Sequence, residues 1–253
     1  MKTIIITGAG TGMGAATAVQ LSKSGYALIL IGRRQDKLDR TLQACDTPSA
    51  HAAVSADITD PESFKAGLNK ANVHDREIYG LFANAGIGGE NTYGEGDRWS
   101  QIMDINLNGT YISIMETLPY LRKSSAPFKH ILITSSCLAR FGVPNYTAYC
   151  TSKAGLLGLT RSLAVELASE RILVNALTPG WVETEMAQQG IQLLADRGNR
   201  PYEDEYKDQM GYVPLGRMSD PSDIATFVDF LMSEKQTSIT GQGLDINNGS
   251  WMQ

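Results

Sequence analysis

Seven short runs of apolar, β-branched residues punctuate the chain: KTIIITG, YALILIG, HAAVSAD, IYGLFANAG, HILITSS, RILVNALTPG and QGLDINNG. Inside them the apolar residues run on without alternation, as in TIIIT and LILI. A strand reads this way when helices cover both of its faces, which is the situation of a parallel sheet. Longer stretches with helical spacing, such as Ala15 to Lys23 and Ala154 to Ser169, separate the runs. The alternation predicts an α/β fold with a doubly wound, seven-stranded parallel sheet flanked by helices. At 253 residues and 42% hydrophobic content, one large core can be filled, so residues 1–253 are expected to form a single domain.

The same composition narrows the choice of partner. A formal charge of -5 with no run of like charges offers nothing to nucleic acid or to an anionic membrane surface. No apolar stretch reaches membrane-spanning length, and the first strand-like run starts within three residues of Met1, which leaves no room for a signal peptide. Cys45, Cys137 and Cys150 are too few and too scattered for a disulfide framework, and His51, His74 and His130 have no ligand spacing. The expectation is a cytoplasmic protein without a metal whose partner is a small molecule.

In a doubly wound sheet the ligand sits beyond the carboxyl ends of the strands, so the residues that follow each run are the candidates. After the first run stands TGAGTGMG, opening a helix, with Gly8, Gly12 and Gly14 flanking Thr11 and Met13. Glycines there allow positive φ and let backbone N–H groups approach a pyrophosphate at the positive end of a helix. A tight strand-to-helix turn that binds nothing would look similar. After the second run come Arg33 and Arg34, with Gly32 where a carboxylate for a ribose 2′-hydroxyl would be expected. A guanidinium suits a 2′-phosphate, which favours NADP(H); stacking of Arg33 on adenine alone would be compatible with NAD(H).

Tyr149 and Lys153 are four residues apart at the start of a helix-patterned run, so they share one helical face. A tyrosine of ordinary pKa near 10 is a poor proton carrier at neutral pH, and a neighbouring ammonium would lower that value. A solvent-facing pair would show the same spacing. Ser136 ends the fifth run thirteen residues earlier, as a substrate-holding hydroxyl or a turn residue. Asn106, within an amphipathic stretch, is an unfavourable helix residue that could bend the backbone or hold water, or be a buried amide satisfied by main chain.

Taken in order, TGAGTGMG, the NAG of Asn84, Ala85 and Gly86, Asn106, Ser136, Tyr149, Lys153 and PGWVET from Pro179 and Gly180 to Thr184 resemble the short-chain dehydrogenase/reductase superfamily over the whole chain. The resemblance implies a Rossmann-type fold and hydride transfer between a nicotinamide and an alcohol or ketone. It makes Tyr149 the general acid/base, with Lys153 lowering its pKa and holding the nicotinamide ribose. Ser136 orients the substrate oxygen, and Asn106 holds a water in the proton relay. It further implies that Asp57 and Ile58 meet the adenine, that Val182 and Thr184 hold the carboxamide, and that two helices pair across two-fold axes into a homotetramer. The chain departs from the family at Thr11, where many NADP-using relatives carry a base, and at Asn247 and Asn248, where a glycine pair is usual.

The substrate pocket is expected from Phe141, Tyr146, Trp181, Tyr202, Tyr206 and Tyr212, with residues 183–212 as a lid. Between Glu183 and Met210 there are seven acids and three bases, which favours a neutral, moderately apolar or cyclic substrate. A polyol or a hydroxyacyl thioester is the alternative, since Arg140 or Arg197 could hold an anionic handle.

Overall fold

The computed structural model describes residues 1–252. Strands and helices alternate from the start: β1 (Lys2–Thr7), α1 (Gly12–Lys23), β2 (Ala27–Gly32), α2 (Gln35–Ala44), β3 (Ala52–Ser55), α3 (Pro61–Lys70) and β4 (Glu77–Ala83). There follow α4 (Trp99–Met103), one π-helical turn (Asp104–Asn108), α5 (Gly109–Lys123), β5 (Lys129–Thr134), α6 (Thr147–Leu167) and β6 (Ile172–Pro179). The last part holds α7 (Glu185–Gly198), α8 (Tyr202–Gly211), α9 (Pro221–Leu231) and β7 (Gly243–Ile246). All seven runs form strands, and they pair in the order β3-β2-β1-β4-β5-β6-β7, every pair parallel.

Successive side chains of a strand leave opposite faces, so each continuous apolar run feeds two cores at once. Ile5, Leu81, Ile131 and Val174 pack on one face beneath α3, α5 and α6 through Phe64, Leu68, Ile114, Leu118, Leu156 and Leu163. Ile4, Ile6, Phe82 and Leu132 point the other way, against Ala18 and Leu21 of α1 and Ile224 and Val228 of α9. Each fully buried isoleucine contributes roughly 1.5–3 kcal/mol, and the six residues Ile4–Ile6 and Ile29–Ile31 are wholly buried. This rigid double layer sets where the strand ends point.

Residues 183–212 are not the irregular lid their composition suggests. They form α7 and α8, which close on an apolar centre of their own, built from Ala187, Ile191, Met210, Val213 and Met218. An ion pair between Arg197 and Glu90 fastens α7 to the segment after β4, and Arg200 pairs with Asp208 at 2.7 Å. No helix among the described residues is long and apolar enough to cross a membrane.

Candidate active site

The glycine loop between β1 and α1 has no spare room. Gly8 and Gly12 hold φ of 66° and 54°, in the left-handed region. A Cβ on Gly14 would lie 2.2 Å from the Gly8 carbonyl oxygen, and one on Gly12 would lie 3.1 Å from the Thr184 methyl. Thr11 caps α1 by position, but its side chain makes no capping hydrogen bond. Met13 packs its side chain into the α1/α9 core and does not face the cleft.

Beside this loop, at the end of β2, runs a cleft lined by Gly8, Thr11, Arg33, Arg34, Asp57, Ile58, Ala85 and Gly86. It also takes in Gly10, Gly32, Lys37 and Ile87, which the motif reading did not assign. Lys37 was legible only in part. It lies four residues past Arg33 in the first turn of α2, and its Cβ is 2.9 Å from where Gly10 would carry one, so the second glycine of TGAGTG marks the place. Among the described residues Arg33, Arg34 and Lys37 form no ion pair. Three cations facing one cleft suit a bound polyanion. Asp57 accepts from the Thr59 amide (2.9 Å) and hydroxyl (2.8 Å). The Thr59 amide, seconded by that hydroxyl and by Arg33, holds the Asp57 carboxyl below its usual range.

Asn84 works as a strand fastener. Its Nδ2 donates to the Thr7 carbonyl at 3.2 Å, its Oδ1 accepts from the Thr134 hydroxyl at 3.2 Å, and the Thr7 hydroxyl accepts from the Asn84 and Ala85 amides. On the far side Pro179 ends β6 and Gly180 abuts Asn247, whose carbonyl oxygen would be 3.0 Å from a Cβ there. Val182 bridges to Ser219, and Thr184 caps α7 by accepting from the Ala187 amide. Of these four residues Thr184 lies against the glycine loop, and none lines the cation-lined cleft.

Gly86 joins the cleft to the second half of the site: a Cβ on it would sit 3.1 Å from Asn106 Oδ1 and 3.4 Å from Lys153 Nζ. Asn106 is wholly buried in the π-helical turn. Its amide clasps Ile87, accepting from that N–H at 2.8 Å and donating to that carbonyl at 3.0 Å, and it donates to the Ser152 hydroxyl at 3.2 Å. The bend in the backbone and the satisfied amide are therefore both present. The wider turn leaves the Asn106 carbonyl to accept from the Thr110 hydroxyl at 2.8 Å.

Ser136 ends the β5 segment, where its hydroxyl accepts from the Leu138 amide at 3.1 Å and stands beside the Tyr149 phenol. Tyr149 and Lys153 lie on one face of α6, with the ammonium 5.7 Å from the ring centre. The expected lowering of the phenol pKa is absent in the protein alone. Burial pushes Tyr149 up to about 12 against the neighbouring Ser136 hydroxyl, which lowers it. Lys153 donates to the Thr134 carbonyl at 2.8 Å, and burial brings it down to about 8. With a pKa of about 8, Lys153 is still mostly protonated at neutral pH.

The expected substrate lining is reassigned in part. Tyr146 packs edge-on against Tyr149 at 6.3 Å. Trp181, Tyr202 and Tyr206 serve the α7/α8 centre, Phe141 stacks on Trp251, and Tyr212 is 82% exposed. Arg140 is engaged with Asp245 and the Gly243 carbonyl, and Arg197 with Glu90, so neither is free to hold an anionic handle. Burial pushes the Cys137 thiol up to about 11, the behaviour of a packed side chain.

Comparison with known proteins agrees with this arrangement. A family model described as enoyl-(acyl carrier protein) reductase matches residues 8–250. The chain is 32% identical, over 99% of its length and 98% of the relative's, to the 3-oxoacyl-(acyl-carrier-protein) reductase FabG of Staphylococcus aureus. Among solved structures it is similar to levodione reductase (TM-score 0.90, 27% identity, 98% and 96% of the two chains). It is likewise similar to an actinorhodin polyketide ketoreductase with NADPH (TM-score 0.92, 26%, 98% and 97%). A third is 3-ketoacyl-(acyl-carrier-protein) reductase from Brucella melitensis complexed with NADH (TM-score 0.84, 28%, 98% of both).

Proposed function

The chain belongs to the short-chain dehydrogenase/reductase superfamily of nicotinamide-dependent alcohol and ketone oxidoreductases, and on that premise we propose that Asn106, Ser136, Tyr149 and Lys153 interconvert a neutral, apolar or cyclic ketone and its secondary alcohol. NADP(H) is the favoured cofactor and NAD(H) the alternative. The observation that carries the proposal is the contiguity at Gly86, where the cation-lined cleft and the buried Lys153 ammonium meet on either side of one residue.

The cradle fits the group. Gly8 and Gly12 supply backbone at positive φ, Gly14 and Gly86 leave the space that a Cβ would take, and Arg33, Arg34 and Lys37 await a 2′-phosphate. Asp57 and Ile58 border the adenine end, Asn84 to Gly86 the middle, and Pro179 to Thr184 the nicotinamide end. When bound, the nicotinamide gives or takes the hydride. Tyr149, with its proton held up to pH about 12, is fully protonated at neutral pH and donates to a carbonyl oxygen that Ser136 shares. Lys153 has three N–H donors and one protein acceptor, which leaves two for a ribose and for the relay. The Asn106 carbonyl has a second lone pair beyond Thr110 for a relay water.

The committed state of Arg140 and Arg197 and the acid-rich lid support a free ketone over an acyl thioester, although the FabG relatives are named for carrier-bound substrates. We place this single-domain enzyme in the cytoplasm as a homotetramer with a small-molecule substrate and no nucleic-acid or membrane partner. Three free thiols support the compartment, and exposed Tyr111 on α5 and Val165 on α6 support helix pairing between copies. The test is nicotinamide absorbance with a panel of cyclic ketones and acyl thioesters and both cofactors. Tyr149→Phe should lose about 10²- to 10⁴-fold in kcat while still binding NADPH. Undiminished turnover by that variant overturns the assignment.

A further inference from the structure

We infer that Asn91 is a positioning residue for the reaction, capping the catalytic helix from outside and thereby holding the Tyr149 phenol against Ser136. The inference rests on the reading of Tyr149 as the proton donor.

Helix α6 begins without a cap of its own. Its N-cap residue is Tyr146, whose side chain makes no capping hydrogen bond. The missing acceptor comes from 57 residues upstream. Asn91 Oδ1 accepts from the Ala148 amide at 2.8 Å and from the Thr147 hydroxyl at 3.1 Å. The Asn91 amide donates to the Asn145 carbonyl at 2.8 Å, at a residue held with φ of 66°. One side chain and its own main chain thus grip the polypeptide on both sides of Tyr146. Asn91 is only 8% exposed, and its Nδ2 is held by Asp97 at 3.3 Å, which fixes the amide orientation.

What this grip governs follows from what else is anchored. Ser136 is fixed by the Leu138 amide, and Lys153, one turn into the helix, by the Thr134 carbonyl. Tyr149 comes directly after Ala148, in the first turn, where helices fray when their orphan N–H groups lose a partner. Loosening that turn moves the phenol relative to two partners that stay put. Lys153, the α6 residue assigned to the cofactor, stays anchored on the Thr134 carbonyl, so the damage falls on proton transfer and spares binding.

The experiment compares Asn91→Leu, close in shape but without an acceptor, with Asn91→Asp made together with Asp97→Asn, which restores an acceptor without a new like-charge pair. With Asn91→Leu, kcat should fall about 10- to 100-fold, the range for a misplaced reacting group, with NADPH affinity unchanged. The pH limb of alcohol oxidation should move to higher pH, because a phenol drifting from Ser136, whose hydroxyl lowers its pKa, ionises less readily. The Asp/Asn double variant should recover most of kcat and the original limb. Wild-type kcat and pH profile in Asn91→Leu, an equal loss of NADPH affinity, or failure of the double variant to recover overturns the inference. If Asn91→Leu does not fold, Asn91→Ala takes its place in the same comparison. Tyr149→Phe run alongside separates the two claims: if it turns over normally, the role of Tyr149 is wrong, whereas an inactive Tyr149→Phe beside an intact Asn91→Leu defeats only the role of Asn91.

Discussion

Lys37 stands half-buried at the mouth of the cleft, delivered towards a glycine loop whose own position 11 is an uncharged threonine. Arg33 faces the same space from the end of β2. If both contact a 2′-phosphate, each charge-assisted bond is worth about 1.5–3 kcal/mol, so Lys37→Gln should cut kcat/KM for NADPH about tenfold or more and leave NADH unaffected. Initial rates with the two cofactors read this directly, and an equal loss with both removes Lys37 from the phosphate site. Arg33 was legible because a strand end marks the place. Lys37 was not, because a lysine in the first turn of a polar helix looks like a solvated charge until Gly10 is seen to lie against it. The Tyr149–Lys153 spacing made their shared face legible but not the burial that acts on both groups. Burial and the Thr134 carbonyl, which no local pattern reveals, dominate both groups.

At the level of elements, Thr184 has two tasks. It caps α7 through the Ala187 amide, and its methyl abuts Gly12 in the phosphate loop. Thr184→Ala should cost about 1 kcal/mol, read as a lower urea midpoint, and Thr184→Ser should recover the capping part. A midpoint unchanged in the alanine variant would show that the cap contributes nothing. All seven strands were legible, since their short apolar runs are rich in β-branched residues and separated by helix-patterned stretches, which favours a covered sheet over buried helix. The helices of residues 183–212 were harder. Their apolar stripes, Ala187, Ile191, Ala195 and Tyr202, Tyr206, Met210, do recur every four residues, but they are thin and set among acids. The role of Asn91 could not be read at all, because its partners are 56 and 57 residues away.

Across the whole molecule, buried titratable groups set a window of stability. His130 of β5, bonded to the Tyr79 hydroxyl at 3.0 Å, is brought by burial to about 4 from 6.5. Between those values the unfolded chain takes a proton that the folded one refuses, so roughly 3 kcal/mol of stability is lost as pH falls from 6.5 to 4. Lys153, at about 8 in place of 10.5, has the same sign. Stability of the free protein rises as pH climbs above 8, by a few kcal/mol once 10.5 is reached. Tyr149 acts oppositely: above pH 10 the unfolded chain gives up a proton that the fold retains, and stability declines. Urea midpoints against pH should therefore drop below 6.5 and peak between 8 and 10. Lys153→Met should remove the rise above 8, and an unaltered rise would mean that another group carries it.

The α7/α8 pair closes on its own small apolar centre and is tied by the Arg197–Glu90 ion pair to the segment after β4. Mutations that reshape that centre leave the two large cores and the phosphate cradle untouched. An engineer can therefore rebuild this helix pair, or graft a foreign one in its place, without redesigning the sheet that carries the fold.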